Sequence, residues 1–149
     1  MNEEIENVLH REGLVLADIK KRAMAFFIDE MLLSFLLIIA MSDSFSNAKT
    51  VEEMIMLTNN FMFEYLIMKI VYQTFFVMQY GATLGKIAMK IRVIEITTLQ
   101  NPSFLCSLNR AIFRVISEML FYLGFLWGMM DPAHQTWHDK TAKTLVVNV

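Results

Sequence analysis

Five ionisable side chains stand inside otherwise apolar stretches of this sequence: Asp29, Glu30, Glu64, Lys69 and Glu118. A charged group at the centre of a bilayer costs from ~2.5 to more than 10 kcal/mol, so such groups pair with one another, face a bundle interior or line a polar path. Paired charges would fasten the helices together. An excess of carboxylates would instead form a relay for protons or small cations, centred on Asp29. The residue types leave both interpretations open.

Several of these groups are predicted to lie at one depth. A helix rises ~1.5 Å per residue, which places Asp29, Gln73 and Glu118 about 10 Å from the basic ends of their segments. The long stem of Lys69 can reach down to the same level. We therefore predict one polar layer that holds Asp29, Lys69, Gln73 and Glu118. Arg114 is four residues before Glu118, a spacing that favours an ion pair within one helix.

Two hydrophobic stretches must position these side chains. Residues 23–41 and 61–80 each approach the ~20 residues that cross hydrocarbon, and 56% of the chain is apolar, against the ~45–50% usual for soluble domains. Lys20, Lys21 and Arg22 precede the first stretch, whereas acidic residues dominate the segment after it. The positive-inside rule therefore predicts a cytoplasmic N-terminus.

The chain divides into an arm and a membrane domain. Residues 1–22 are predicted to form a cytoplasmic amphipathic arm. A helix break is expected at Gly13, because glycine weakens helices. Residues 23–149 form the predicted membrane domain. Its third hydrophobic segment, residues 111–130, is short and contains Gly124, so it is either a third short span or a re-entrant helical hairpin that turns near this glycine.

Two short runs outside the spans have the character of β-strands. Residues 90–96 alternate polar and apolar side chains, and residues 144–149 are rich in valine. A lone strand has no independent stability, so we predict that the two runs pair on the cytoplasmic side. This pairing favours the broken third segment, because it returns the tail to that side. The predicted fold is an all-α integral membrane protein with a small cytoplasmic two-stranded β element.

No enzymatic or nucleic-acid-binding pattern emerges from the residue types. His134 and His138 have the spacing of half a metal site, but no further ligand cluster accompanies them, so no metal and no cofactor are predicted. A nucleophile–base pair is not evident either, and we expect the protein not to be an enzyme. The net charge of −2 gives no basic field for a nucleic acid, so the expected partners are a lipid bilayer and further copies of the chain.

Four blocks in order along the sequence resemble the RDD family of bacterial membrane proteins, which is named for one arginine and two aspartates. The blocks are RAMAFFID, GATLGKIAMKIRVIEI, SFLCSLNRAIFR and WHDKTAKTLVV. The resemblance covers residues 20–147. The third hydrophobic segment of this sequence is shorter than the corresponding segment of many relatives.

The resemblance assigns roles to individual positions. Arg22 matches the family arginine, Asp29 the first aspartate and Asp139 the second. It implies that Asp139 returns to the cytoplasmic mouth of the bundle and pairs there with Arg22 or with another basic residue. The following residues also fall on recurrent family positions: Gly81, Gly85, Lys86, Arg92, Arg110 and Arg114.

The resemblance also implies a location and a role. It indicates a multi-pass protein of the bacterial inner membrane, and a transport role, including sodium–proton exchange, has been suggested for the family. Together with the intramembrane carboxylates, this favours a transporter or transport component for protons or small cations. A non-catalytic membrane scaffold or accessory subunit is the alternative. Because two or three helices rarely enclose a polar path, we expect a homo-oligomer.

Overall fold

The computed structural model describes residues 3–149 and consists of seven helices and two strands within that range. Residues 1 and 2 of the predicted arm lie outside the described residues. The elements in chain order are α1 (Glu3–Glu12), α2 (Ile19–Asn47), α3 (Val51–Tyr80), α4 (Leu84–Ala88), β1 (Ile91–Glu95), α5 (Phe104–Met119), α6 (Leu123–Met130), α7 (Trp137–Thr141) and β2 (Thr144–Asn148).

Helices α2 and α3 are both long and apolar enough to cross a membrane, which confirms the two predicted spans. At ~1.5 Å per residue each is roughly 44 Å long and exceeds the ~30 Å hydrocarbon core. Helix α3 begins before residue 61, where the second span was predicted to start, because the connection between α2 and α3 is reduced to residues 48–50. The Thr50 hydroxyl accepts a hydrogen bond from the Glu53 amide at 3.2 Å, and this cap starts α3 ten residues before the predicted span.

The third hydrophobic segment is broken into two helices, as the predicted re-entrant hairpin required. Helices α5 and α6 meet at an angle of 103°, the geometry of a bent span or a re-entrant loop. The turn lies close to Gly124, as predicted, and ends two residues before it. It is made by Phe121 and Tyr122, which both have positive φ. Gly124 instead packs against Ser117 and Trp137, where a side chain would collide.

Strands β1 and β2 pair antiparallel, with Ile91 opposite Asn148 and Glu95 opposite Thr144, which confirms the predicted β element. The sheet has a core on both faces. One core cluster consists of Ala17, Ala25, Val77, Ile91, Val93 and Val146. The other consists of Ile5, Ile94, Ala133, Leu145 and Val147.

The N-terminal arm covers the edge of this sheet that β2 forms. Helix α1 ends one residue before Gly13, which has φ +62° and so breaks the helix at the predicted place. The chain then runs beside β2, where the Ala17 amide donates to the Val146 carbonyl at 2.9 Å and Leu16 forms a bridge with Val147. An uncovered strand edge invites pairing with other chains, and the arm removes that opportunity.

Candidate functional site

Asp139 is the centre of one cluster of buried charges. Its side chain is fully buried and forms ion pairs with Arg22 through Oδ2 and with Arg110 through Oδ1. Oδ2 also accepts hydrogen bonds from the Thr136 amide at 3.1 Å and the Thr136 hydroxyl at 2.8 Å. Arg110 donates in addition to the Thr144 hydroxyl. This Asp139 cluster therefore joins α2, α5, α7 and β2 at one point.

The two guanidinium groups fix the charge state of this aspartate. Burial alone would raise the pKa of the Asp139 carboxyl, but Arg22 and Arg110 outweigh it and hold the pKa well below its ordinary range. A carboxylate that accepts four contacts of this kind stays ionised at neutral pH. The pairing of Asp139 with Arg22, which the family resemblance implied, is present in the structure.

His138 is buried beside the Asp139 cluster. Burial lowers the pKa of His138 well below its ordinary value; the Asp139 carboxylate opposes this shift and the Arg110 guanidinium reinforces it. Its Nε2 is 2.9 Å from the Thr136 hydroxyl. Within residues 3–149, no group of three or more metal-ligating side chains is arranged to hold an ion.

Asp29 occupies a different position, at the N-terminus of α4. Its Oδ1 accepts from the Gly85 amide at 2.8 Å and from the Tyr72 hydroxyl at 2.8 Å, and its Oδ2 accepts from the Thr83 hydroxyl at 2.6 Å. A carboxylate is favourable there because the free amides of a helix start carry partial positive charge. We call these four residues the Asp29 cap. It fastens α4 to α2 and α3.

Gly85 makes the Asp29 cap possible. A Cβ at this position would collide with the Ala25 carbonyl and would lie 2.8 Å from Asp29 Oδ1. Only a residue without a side chain lets the backbone of α4 approach α2 so closely.

A second set of charges lies between α2, α3 and α5. Lys69 Nζ is 2.9 Å from Glu30 Oε1 and also pairs with Glu118. Arg114 reaches Glu118 at 3.3 Å, the predicted pair within one helix, and Glu30 at 3.6 Å. The Tyr65 hydroxyl donates to Glu30 Oε2 at 3.1 Å. We call Glu30, Lys69, Arg114 and Glu118 the ion-pair layer.

The prediction of a single polar layer is therefore wrong. Lys69 and Glu118 are in contact, but Asp29 belongs to the separate Asp29 cap, and its neighbour Glu30 takes the place predicted for it. Successive helix residues point about 100° apart, so Asp29 and Glu30 face different partners. Gln73 is buried on α3, and its amide nitrogen has no hydrogen-bond partner within the described part of the chain.

Two further predicted residues support the junction between α3 and the sheet. Gly81 ends α3 with φ +68°, and its amide donates to the Val77 carbonyl at 2.9 Å. Such a left-handed helix end favours glycine. The Arg92 guanidinium donates to the Leu99 carbonyl at 3.4 Å, in the turn that follows β1. It belongs neither to the Asp139 cluster nor to the ion-pair layer.

Sequence reasoning missed several members of the site. Thr136 precedes Asp139 by three residues, the spacing of a capping box, so this signal was available in the sequence. Thr83 likewise caps α4 through the Lys86 amide at 3.4 Å. No comparable local signal connects Tyr72 with Asp29, because the two residues are 43 positions apart and meet only after the helices pack.

These features define an integral membrane protein in which a buried aspartate between two arginines closes one end of a helical bundle. The sequence model of the RDD family matches residues 16–143, and the chain belongs to this family. Two proteins called proline-rich antigen homolog, from Mycobacterium tuberculosis strains CDC 1551 / Oshkosh and ATCC 25618 / H37Rv, are each 32% identical to it over 69 residues. That stretch is 46% of this chain and 29% of each relative. No solved structure matches the chain.

Proposed function

We propose that this protein is a transport component of the bacterial inner membrane that moves protons or small cations through its ion-pair layer, without enzymatic activity. The observation that supports this proposal is the contact of the layer with the linings of two cavities. Arg114 lines a cavity at the end of the bundle that holds the sheet. Tyr65, which donates to Glu30, lines an apolar cleft between the far halves of α2 and α3.

The chemistry of the layer suits exchange. Glu30 and Glu118 each contact both Lys69 and Arg114, so every charge has two partners. Protonation of one carboxylate, or binding of a small cation to it, would release its two ion pairs while the remaining carboxylate still contacts both Lys69 and Arg114. In such a network each side chain can exchange one ion-pair partner for another without becoming an unpaired charge in a low-dielectric environment.

Orientation and assembly are part of the proposal. The basic flank before α2 favours a cytoplasmic N-terminus, which would put the sheet, the Asp139 cluster and the Asp29 cap on the cytoplasmic side. The cleft between α2 and α3 measures about 590 Å³ and is lined mainly by apolar residues. We propose that further copies of the chain close it, because one copy does not enclose a path.

Flux measurements in proteoliposomes test the transport proposal. With an imposed pH gradient and sodium as the counter-ion, Glu30→Gln and Glu118→Gln should each reduce proton flux at least about tenfold, since one missing charge of a buried pair costs more than 1.4 kcal/mol. Glu64→Gln is the matched control, because this carboxylate is exposed on α3, and it should leave flux unchanged. Equal flux in all variants would remove the layer from the mechanism.

A non-catalytic scaffold is the second candidate, and one observation favours it. Every charge of the ion-pair layer and of the Asp139 cluster already has an internal partner, as expected of groups that only fasten helices. This candidate predicts no flux from the native chain and a stable partner protein after extraction in mild detergent.

A further inference from the structure

A cavity of about 160 Å³ lies where α2, α4, α5, α6 and α7 meet. For scale, an engineered cavity of about 150 Å³ holds benzene, so a group of several heavy atoms fits here. The cavity wall includes the cationic side chains of Arg22, Lys86 and Arg114. Its rim is apolar, and the rim residues Leu126 and Met129 are 52% and 63% exposed on the outer face of α6.

Lys86 is the unusual member of this wall. The residue is only 8% exposed, yet none of the carboxylates in residues 3–149 forms an ion pair with its amine. Arg22 and Arg114, by contrast, pair with Asp139 and Glu118. An unpaired ammonium in such surroundings is costly unless a counter-charge arrives.

The charges around the cavity leave a positive excess. The ion-pair layer, the Asp139 cluster, the Asp29 cap and Lys86 together contain five cations and four carboxylates. Asp29 also lines the cavity, but its oxygens already accept three hydrogen bonds. Burial lowers the pKa of Lys86 well below its ordinary value, and the nearby Arg110 and Arg114 add to this effect while Asp29 and Asp139 oppose it. A bound anion would offset the positive excess and favour the charged form of the Lys86 amine.

We propose that this cavity binds the phosphate group of an anionic phospholipid, with Lys86 as its principal cationic contact. Basic pockets between membrane helices commonly take lipid head groups. The exposed rim of Leu126 and Met129 leads from the cavity to the surface that faces the bilayer, so an acyl chain can lie on α6 while its head group enters. Binding of this kind does not depend on transport.

The test is a titration of the detergent-purified full-length chain, with thermal denaturation as the readout. The probes are short-chain phosphatidylglycerol, phosphatidylcholine of the same chain length and inorganic phosphate. Phosphatidylglycerol should raise the melting temperature of the native chain more than phosphatidylcholine does. Lys86→Met keeps the apolar stem and removes the charge, and it should bind phosphatidylglycerol at least about tenfold more weakly, since a charge-assisted hydrogen bond is worth roughly 1.5–3 kcal/mol.

Lys20→Met is the matched control, because it removes the same charge from an exposed position near the same end of α2, and it should bind like the native chain. In the absence of lipid, Lys86→Met should melt no lower than the native chain, since it removes an unpaired buried charge, and this excludes misfolding as the cause of weak binding. An equal response to phosphatidylglycerol in the native chain and in Lys86→Met would overturn the proposal. Stabilisation by inorganic phosphate that Lys86→Met abolishes would support the anion site and assign it to a free anion.

Discussion

The two ends of the helical bundle are built on opposite principles. At the end that holds the sheet, which we call the sheet end, charged and polar side chains are buried and paired. At the end formed by residues 34–65, which we call the hairpin end, apolar side chains are exposed: Ile38 is 66% exposed and Phe63 is 67% exposed. All buried residues of α3 (Lys69, Gln73, Thr74 and Val77) lie in its last twelve positions, toward the sheet end.

This contrast follows from the solvent. Lipid tails are as apolar as leucine, so helices in a bilayer gain nothing by hiding apolar faces from them. Helices α2 and α3 therefore meet where they exchange polar contacts, through Glu30, Lys69 and the Asp29 cap. Where both helices are apolar, a cleft lies between them, with Ile38 and Phe61 in its lining. Stability should accordingly be concentrated at the sheet end.

Removal of the Asp139 carboxylate should have the largest effect. Asp139→Ala leaves two guanidinium groups buried without a counter-charge, and loss of one partner from a buried pair costs roughly 3–5 kcal/mol. We expect a matching fall in the free energy of unfolding, measured by chemical denaturation in detergent and followed by far-UV circular dichroism.

Asp131→Ala provides the matched control for this prediction. Asp131 also forms an ion pair, with Lys140 at 2.5 Å, but the Lys140 side chain is 41% exposed. An ion pair that solvent reaches from one side is weaker than a fully buried one, so Asp131→Ala should cost less than Asp139→Ala. Equal losses for the two substitutions would contradict the idea that burial makes the Asp139 cluster the strongest point of the bundle.

A methyl group on Gly85 should have the next largest effect. Gly85→Ala forces α4 away from the Ala25 carbonyl and from the Asp29 carboxylate, and overpacking of this kind costs roughly 1–3 kcal/mol. Ala88→Ser adds an atom of similar size to the exposed side of the same helix and should change the denaturation midpoint very little. If Gly85→Ala were as stable as the native chain, the Asp29 cap would not be what holds α4 in place.

The sequence contained enough information for the parts of the fold that depend on local composition. Hydropathy located both spans, alternation of side chains located β1, a valine-rich run located β2, and the weakness of residues 111–130 indicated a break. The break lies close to Gly124, as predicted, but the residues that form the turn were missed, because Phe121 and Tyr122 adopt positive φ without any glycine between them to signal it. The start of α3 was missed because the cap at Thr50 outweighs the polarity of residues 51–60.

The site was predictable in part. Burial of charge identifies which side chains need partners, and the family motif links Arg22 with Asp139. The partners of Asp29 and Glu30 were not accessible to the same reasoning, because they depend on how far each helix rotates about its own axis. A rotation of one residue, about 100°, would exchange the two roles. That rotation is set by tertiary contacts such as the approach of Gly85 to Ala25.

The smallest effect is expected at the hairpin end, and it tests whether another copy of the chain covers the cleft there. Ile38 lines the cleft and Phe63 does not, although the two side chains are almost equally exposed in a single copy. If copies associate through the cleft, Ile38→Ala should weaken self-association in liposomes by about 1 kcal/mol or less, as most interface truncations do. Phe63→Ala should stay within about 0.5 kcal/mol of the native chain, since it loses only contacts with lipid. Energy transfer between labelled copies measures both variants, and equal behaviour would mean that lipid, rather than protein, fills the space between α2 and α3.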